Sequence, residues 1–196
     1  YRNENRTLMP LAEIPQVVRQ ATIGIEDKEF YRHHGFSLTG IARAFRNNLD
    51  NERVQGGSTI TQQLIKNAVL SSERTYKRKI KELILSFQAE MIFSKDQILQ
   101  MYFNEVAYGG PAYGIEEASE NFFGKPAKED TLTEAAYLAA MENAPTFYSP
   151  YGPNRDKLEA RKNLVLREML NNKFITQDEF DKSTKETVTF KPKENT

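Results

Sequence analysis

The sequence predicts an all-α domain of about eight or nine helices, and three observations carry that prediction. Helix start signals recur along the chain, apolar residues repeat at the helical period, and strand patterns are scarce. In order, Pro15 opens a helix that runs through Val18 toward Glu26, a position where its missing N–H costs nothing. Ser37 caps Leu38–Asn47, and Ser58 caps Thr59–Ala68. Ser94 with Gln97, Thr131 with Glu134 and Thr176 with Glu179 each fit a capping box, in which two side chains satisfy otherwise orphaned N–H groups. Thr75–Phe93 carries Tyr76, Ile80, Leu83, Ile84, Phe87 and Met91 at helical spacing, and Asn154–Asn172 does the same through Leu158, Leu164, Val165 and Met169. Glu186–Pro192 alternates and is β-branched, so it reads as a single edge strand or as the exit to a following domain. Turn residues cluster at His34-Gly35, Gly56-Gly57, Tyr108–Gly114 and Ser149–Pro153.

Composition narrows the function classes. A chain of 196 residues fits one ordinary domain or a small two-lobed one. The 27 Lys and Arg balance the 27 Asp and Glu, so bulk capture of nucleic acid is not supported. With 12 Phe and 9 Tyr the chain is too aromatic for a solvated coil. It has no cysteine, which removes disulfides, thiolate metal sites and cysteine nucleophiles, and its two histidines make a multi-histidine metal centre a poor fit. No apolar run approaches the roughly 18–20 residues that span a bilayer, and the longest, Ala135–Met141, reads as a core helix. There is no signal peptide, and a first residue of Tyr1 leads to the expectation of a piece of a longer protein.

Three polar constellations compete for an active site. In the first, Ile23 and Ile25 run into Glu26-Asp27, followed by His33-His34-Gly35. A carboxylate at the end of an apolar helix can be desolvated into a better base. The plain alternative is a helix end with Glu26 paired to a cation. The second is Gln55–Asn67, where a glycine pair precedes a helix start suited to an anion. Thr59, Gln63, Lys66 and Asn67 share a face there, while Ile60, Leu64 and Ala68 turn to the core. The third is Glu73–Glu82, where five cations (Arg74, Lys77, Arg78, Lys79, Lys81) surround Glu82 opposite the Ile80/Leu83/Ile84/Phe87 face. Such a wall neutralises a leaving phosphate, and the plain alternative is a salt-bridged solvent face.

At these residues the chain resembles the peptidoglycan glycosyltransferases, the transglycosylase domains of class A penicillin-binding proteins and their monofunctional relatives. The motif E-D-x-x-F-x-x-H-x-G is met by Glu26, Asp27, Phe30, His33 and Gly35, and G-G-S-T-I-T-Q-Q-L-x-K-N by Gly56 to Asn67 without departure. R-K-x-x-E is met by Arg78, Lys79 and Glu82. K-x-x-I-L-x-x-Y-x-N is met by Lys95, Ile98, Leu99, Tyr102 and Asn104, with Phe103 where Leu is more usual. A G-x-x-x-A-S-x-x-F-F-G stretch spans Gly114 to Gly124.

The resemblance implies a lysozyme-like helical head lobe with a smaller mobile, membrane-proximal lobe at about residues 36–57, in a domain covering residues 1–186 followed by a linker at 187–196. It implies polymerisation of lipid II by a lipid-linked glycan chain, with inversion, on the extracytoplasmic face of the bacterial cell membrane. An N-terminal transmembrane anchor outside this sequence, a transpeptidase domain in the full-length chain, and inhibition by moenomycin-type phosphoglycolipids follow from it. Glu26 is the implied general base and Glu82 a second essential carboxylate. Lys66, Arg74, Arg78 and Lys79 are the implied pyrophosphate cations. Ser58, Thr59, Gln63 and Asn67 would hold sugar and phosphate oxygens, and Asp27 and His33 would shape the Glu26 turn. Arg43 and Arg161 are weaker candidates for substrate contact. No cofactor is required, and a divalent cation such as magnesium or manganese, used by some members, is neither required nor excluded. Two rivals stand beside this reading: a lysozyme-like hydrolase that cuts peptidoglycan, and a non-enzymatic helical module that binds anions through residues 73–82.

Overall fold

The computed structural model describes residues 8–36, 57–68, 75–109 and 112–192. Within them the chain is mostly helical: α1 (Gln16–Glu26), α2 (Ile60–Ala68), α3 (Tyr76–Ile92), α4 (Lys95–Glu105), α5 (Ile115–Phe123), α6 (Leu132–Glu142), α7 (Arg155–Asn171) and α8 (Gln177–Lys185). Single 3₁₀ turns occupy Leu11–Glu13 and Ala127–Glu129. The helix predicted after Ser37 lies outside the described residues.

The core forms around α6. Its run Ala135–Met141 is apolar on every side, and the helix is accordingly buried from Ala135 to Glu142. Ala135, Ala136, Ala139 and Ala140 keep it thin, so α1 and α7 pack closely on it and on each other. Val18, Ala21 and Ile25 of α1 and Leu158, Val165, Leu166 and Met169 of α7 fill the space between. A second layer, α2 with α3 and α4, joins this core through Ile60, Leu64, Ile98, Leu99 and Phe103.

Three predicted capping boxes form as read, at Ser94/Gln97, Thr131/Glu134 and Thr176/Glu179. One cap moves. Ser58 does not start α2; Thr59 does, with its hydroxyl accepting from the Gln62 amide at 3.2 Å and the Gln62 side chain accepting from the Thr59 amide at 3.2 Å. The reciprocal pair Thr59/Gln62 is the better box, because Ser58 has no Gln or Glu three residues on.

The strand reading also shifts. The stretch read as a turn, Tyr108–Gly114, contains a short antiparallel pair, β1 (Ala107–Gly109) with β2 (Ala112–Tyr113). Glu186–Lys191 forms no strand with any described residue. It runs back over the body instead: the Lys191 amide donates to the Phe122 carbonyl at 2.8 Å, and Phe190 packs edge-on against Tyr137 with ring centres 5.2 Å apart. Phe190, partly buried against the core, anchors the segment without a ladder.

Helix α3 departs furthest from a plain reading of its charges. The face opposite its apolar stripe is the one turned inward: Glu82 is 2% exposed and Ser86 is buried, while Tyr76 is 92% exposed and Ile80, Ile84, Phe87, Met91 and Ile92 are all exposed. A salt-bridged solvent face at Glu82 is therefore excluded. The Gly35 turn contributes to this orientation. Gly35 has φ +86, and a Cβ there would lie 2.8 Å from the Ser86 backbone, so loop and helix meet with no room for a side chain.

Two predictions follow from this packing. Gly35→Ala combines a left-handed conformation with a backbone clash, and its thermal midpoint should fall by several degrees relative to wild type, read by differential scanning calorimetry. Asp130 is the second. Ser119 donates to its Oδ2 at 2.6 Å, yet Oδ1 is buried without a partner among the described residues, and burial pushes the carboxyl up to about 7. An acid whose folded pKa is raised lends stability that is complete below its unfolded value near 4 and is lost as pH rises through about 7. Asp130→Asn stays neutral, so its midpoint should drop less than that of wild type between about pH 4 and about pH 8; parallel curves would refute this.

Candidate active site

The site begins where α1 ends. Buried Ile23 and Ile25 carry the helix to the edge of the core, and its last residue is Glu26. The Glu26 side chain is 8% exposed, and both of its oxygens are acceptors. Oε2 accepts from Gln63 Nε2 of α2 at 2.8 Å, and Oε1 accepts from the Arg161 guanidinium of α7 at 3.3 Å. Arg161 is equally buried; its Nε donates to the Ala140 carbonyl at 3.1 Å and its guanidinium lies 5.3 Å from the Tyr148 ring centre. The two sequence readings of Glu26, desolvated base and cation-paired carboxylate, are thus both descriptions of the same group. A carboxylate has about four acceptor positions, so two hydrogen bonds leave room for a third, from a substrate hydroxyl.

Asp27 and His33 fold the loop behind it. Asp27 leaves the helix with φ −159, and its Oδ2 accepts from His33 Nε2 at 2.7 Å and from the Ile60 amide at 3.0 Å. The other face of His33 meets Lys95 at 3.4 Å from Nδ1. Lys95 donates to both oxygens of Glu90 at 2.8 Å, Thr61 donates to Glu90 at 2.6 Å, and Lys95 lies 4.6 Å over the Phe30 ring. Asp27 therefore joins the loop to the first turn of α2, which sets Gln63 against Glu26.

The polar face of α2 is only partly as predicted. Thr59 is buried and donates to the Gly35 carbonyl at 2.8 Å, which makes it a cap and loop anchor more than a ligand group. Gln63 is half-buried on Glu26, and Lys66 and Asn67 lie exposed one turn further along, without a side-chain partner among the described residues. Ala68 is exposed, not turned to the core with Ile60 and Leu64. At the other end of the helix, Ser58 accepts from Lys79 of α3 at 3.0 Å, and Lys79 also forms a short ion pair with Glu82. Arg78 is half-buried with its Nε unpartnered among the described residues. The structure thus brings Glu26, Gln63 and Arg161 together, sets Lys66 and Asn67 further along the helix of Gln63, and joins Lys79 and Glu82 to Ser58 at the start of that helix. Arg43 and Arg74, Gly56, and nearly all of the lobe placed at about residues 36–57 lie outside the described residues. No three His, Asp or Glu side chains among the described residues gather to hold a metal ion.

Sequence reasoning missed one group. Glu142, the last residue of α6, is fully buried beside Glu26. Its Oε1 accepts from Thr22 at 2.8 Å and from Tyr108 at 3.0 Å, and Tyr102 lies 3.4 Å from its Oε2. Tyr102 is also 3.4 Å from Gln63 Oε1. Burial first, and the charge of Glu26 second, push the Glu142 carboxyl up to about 8 against the pull of its three hydroxyl donors. The sequence signal was there to find: one carboxylate closing the apolar run Ala135–Met141.

Comparison with known proteins identifies the family and the fold. A family model described as Transglycosylase matches residues 1–170. Among curated proteins, penicillin-binding protein 1A of Rickettsia bellii is 38% identical over 99% of this chain and 25% of its own length. Penicillin-binding protein 1A/1B of Bacillus subtilis is 44% identical over 94% of the chain and 20% of its length. The crystal structure of penicillin-binding protein 1A from Haemophilus influenzae covers 96% of this chain and 19% of that one, with a TM-score of 0.59 at 24% identity, a likeness of fold. The chain spans about a quarter or less of the length of these relatives. With the family model matched over most of its residues and its helices laid out as in a solved relative, the chain belongs to the transglycosylase family, the peptidoglycan glycosyltransferases of the motifs above.

Proposed function

We propose that this domain polymerises lipid II into glycan strands by inverting glycosyl transfer. Glu26 takes the proton from the 4-hydroxyl of the acceptor GlcNAc. That oxygen attacks C1 of the donor MurNAc from the face opposite the pyrophosphate. The bond from C1 to the pyrophosphate oxygen breaks, its electron pair leaves with undecaprenyl pyrophosphate, and a β-1,4 link remains. The observation that carries this reading is Gln63: it holds the buried carboxylate of Glu26 at 2.8 Å and belongs to the helix that presents Lys66 and Asn67 one turn away.

The chemistry asks for this division of labour. A base must be a positioned acceptor, and the two donors on Glu26 fix its orientation. A diphosphate leaving group needs fixed cations, which stabilise developing charge without reorganising. Lys66 and Arg78 supply them in this reading, with Arg74 of the intervening segment. Lys79 is committed to Ser58 and Glu82, so Glu82 serves by holding that cation in place. Asp27 and His33 position the loop. Arg161 orients Glu26. A hydrolase needs no cationic wall for a leaving diphosphate, and Lys66 on the helix that carries Gln63, with Arg78 on α3, favours transfer over water in this reading.

The lipid-linked substrates place the enzyme at the outer face of the bacterial cell membrane. Exposed Tyr76, Ile80, Ile84, Met91 and Ile92 on α3 suit a position against lipid. No helix among the described residues is long and apolar enough to cross a membrane. In this reading the parent protein carries the anchor and a transpeptidase domain.

Incubating the protein with purified lipid II and, separately, with finished glycan tests the reaction class: strand growth is expected, whereas shortened glycan without polymer would indicate a hydrolase. Glu26→Gln should lower polymerisation by about 10²–10⁴-fold, the range of a lost general base, with the circular dichroism spectrum retained. Lys66→Ala should lower kcat/KM for the lipid pyrophosphate donor by at least about 10-fold, and near-normal turnover would remove Lys66 from the site.

A further inference from the structure

A chain of polar groups runs from Glu142 to Glu26, and its direction depends on one proton. Tyr102 Oη lies 3.4 Å from Glu142 Oε2 and 3.4 Å from Gln63 Oε1, and a phenol has a single proton to donate. Glu142 Oε1 already accepts from Thr22 and Tyr108, so a proton on this carboxyl belongs on Oε2, facing Tyr102. In that form Oε2–H donates to Tyr102 Oη, Tyr102 donates to Gln63 Oε1, and Gln63 Nε2–H donates to Glu26. Each of these three donations then has its acceptor. If Glu142 is ionised, the Tyr102 proton goes to the carboxylate, because a charged acceptor outcompetes an amide carbonyl. Gln63 Oε1 then loses its donor, and the amide is held toward Glu26 by its Nε2 donation alone.

We propose that Glu142, in its protonated form, is a positioning residue for the catalytic base: its proton turns the Tyr102 hydroxyl onto Gln63 and so fixes the Gln63 amide against Glu26. The inference rests on reading Glu26 as the base. The groups facing Glu142 are consistent with it. Tyr102 of α4 and Tyr108 of β1 are buried phenols pushed well above their ordinary range, so they remain O–H donors. The charge of Glu26 of α1 opposes ionisation of Glu142, and Arg161 of α7 is committed to Ala140 and Glu26. Burial holds the proton on Glu142 up to about pH 8.

The test compares pH–rate profiles for lipid II polymerisation by wild type and Glu142→Gln, from about pH 6 to about pH 9.5. A glutamine reproduces the neutral acid, with its carbonyl accepting from Thr22 and Tyr108 and its amide donating to Tyr102, and it cannot ionise. Wild-type kcat should fall by about fivefold above pH 8, the effect of one lost neutral hydrogen bond. Glu142→Gln should keep at least about half of the wild-type rate near pH 7 and lack that fall. Superimposable profiles, whether both fall or neither does, would overturn the proposal, and so would a folded Glu142→Gln that is inactive throughout. Glu26→Gln run in parallel separates the two readings: activity in that variant would discard Glu26 as base, while its loss together with superimposed profiles would discard only the role of Glu142.

Discussion

One buried carboxylate ties three helices together. Glu26 closes α1, accepts from Gln63 of α2 and pairs with Arg161 of α7, at 2.8 and 3.3 Å. A charge this deep is costly unless its oxygens are matched by donors, and breaking one side of such a pair costs more than the pair contributes. The rest of the domain can be understood as the apparatus that keeps those two donors in place. The α6 core is thin enough for α1 and α7 to meet around it. The Asp27 carboxylate joins the loop after α1 to the first turn of α2. The Lys95–Glu90 pair, with Thr61 and His33 on it, holds that loop from behind.

This division explains why so many polar residues sit inside a domain whose function needs only a few of them. Thr59, Gln62, Asp27, Glu82 and Ser86 are all buried and all hydrogen-bonded to protein. They form a polar seam between the α1–α6–α7 core and the α2–α3 layer. A seam of matched donors and acceptors fixes a register more sharply than apolar packing does. Helix α3 completes it by turning its carboxylate inward and its apolar stripe outward, the surface that the proposed function sets against lipid.

Much of the fold was legible in the sequence, and the limits are instructive. Reciprocal caps such as Ser94/Gln97 and Thr176/Glu179 are local chemistry, and local chemistry is what a short window reports. The Thr59 cap escaped because the serine just before it looked equally suitable, and only the Gln62 side chain decides between them. Periodicity located α3 and correctly opposed Glu82 to Ile80 and Ile84, but spacing cannot say which side faces inward; that depends on Gly35 and α2, far away in the chain. The β1–β2 pair escaped because two- and three-residue strands leave no alternation to detect. For the site, motif spacing led to Glu26, Gln63, Lys66 and Glu82. Arg161 and Glu142 come from distant helices and carry no motif, so their meeting with Glu26 became visible only in three dimensions.

The most direct test is a crystal structure of the protein with a phosphoglycolipid of the moenomycin type, which mimics the donor chain. The expected result has the phosphate within hydrogen-bond reach of Lys66 Nζ and the sugar end pointing along α2 toward Glu26, with Gln63 still on the carboxylate. A phosphate bound away from α2, or a sugar end that leaves Glu26 facing only Arg161 and solvent, would contradict the assignment of Glu26 as the base that opens each round of strand growth.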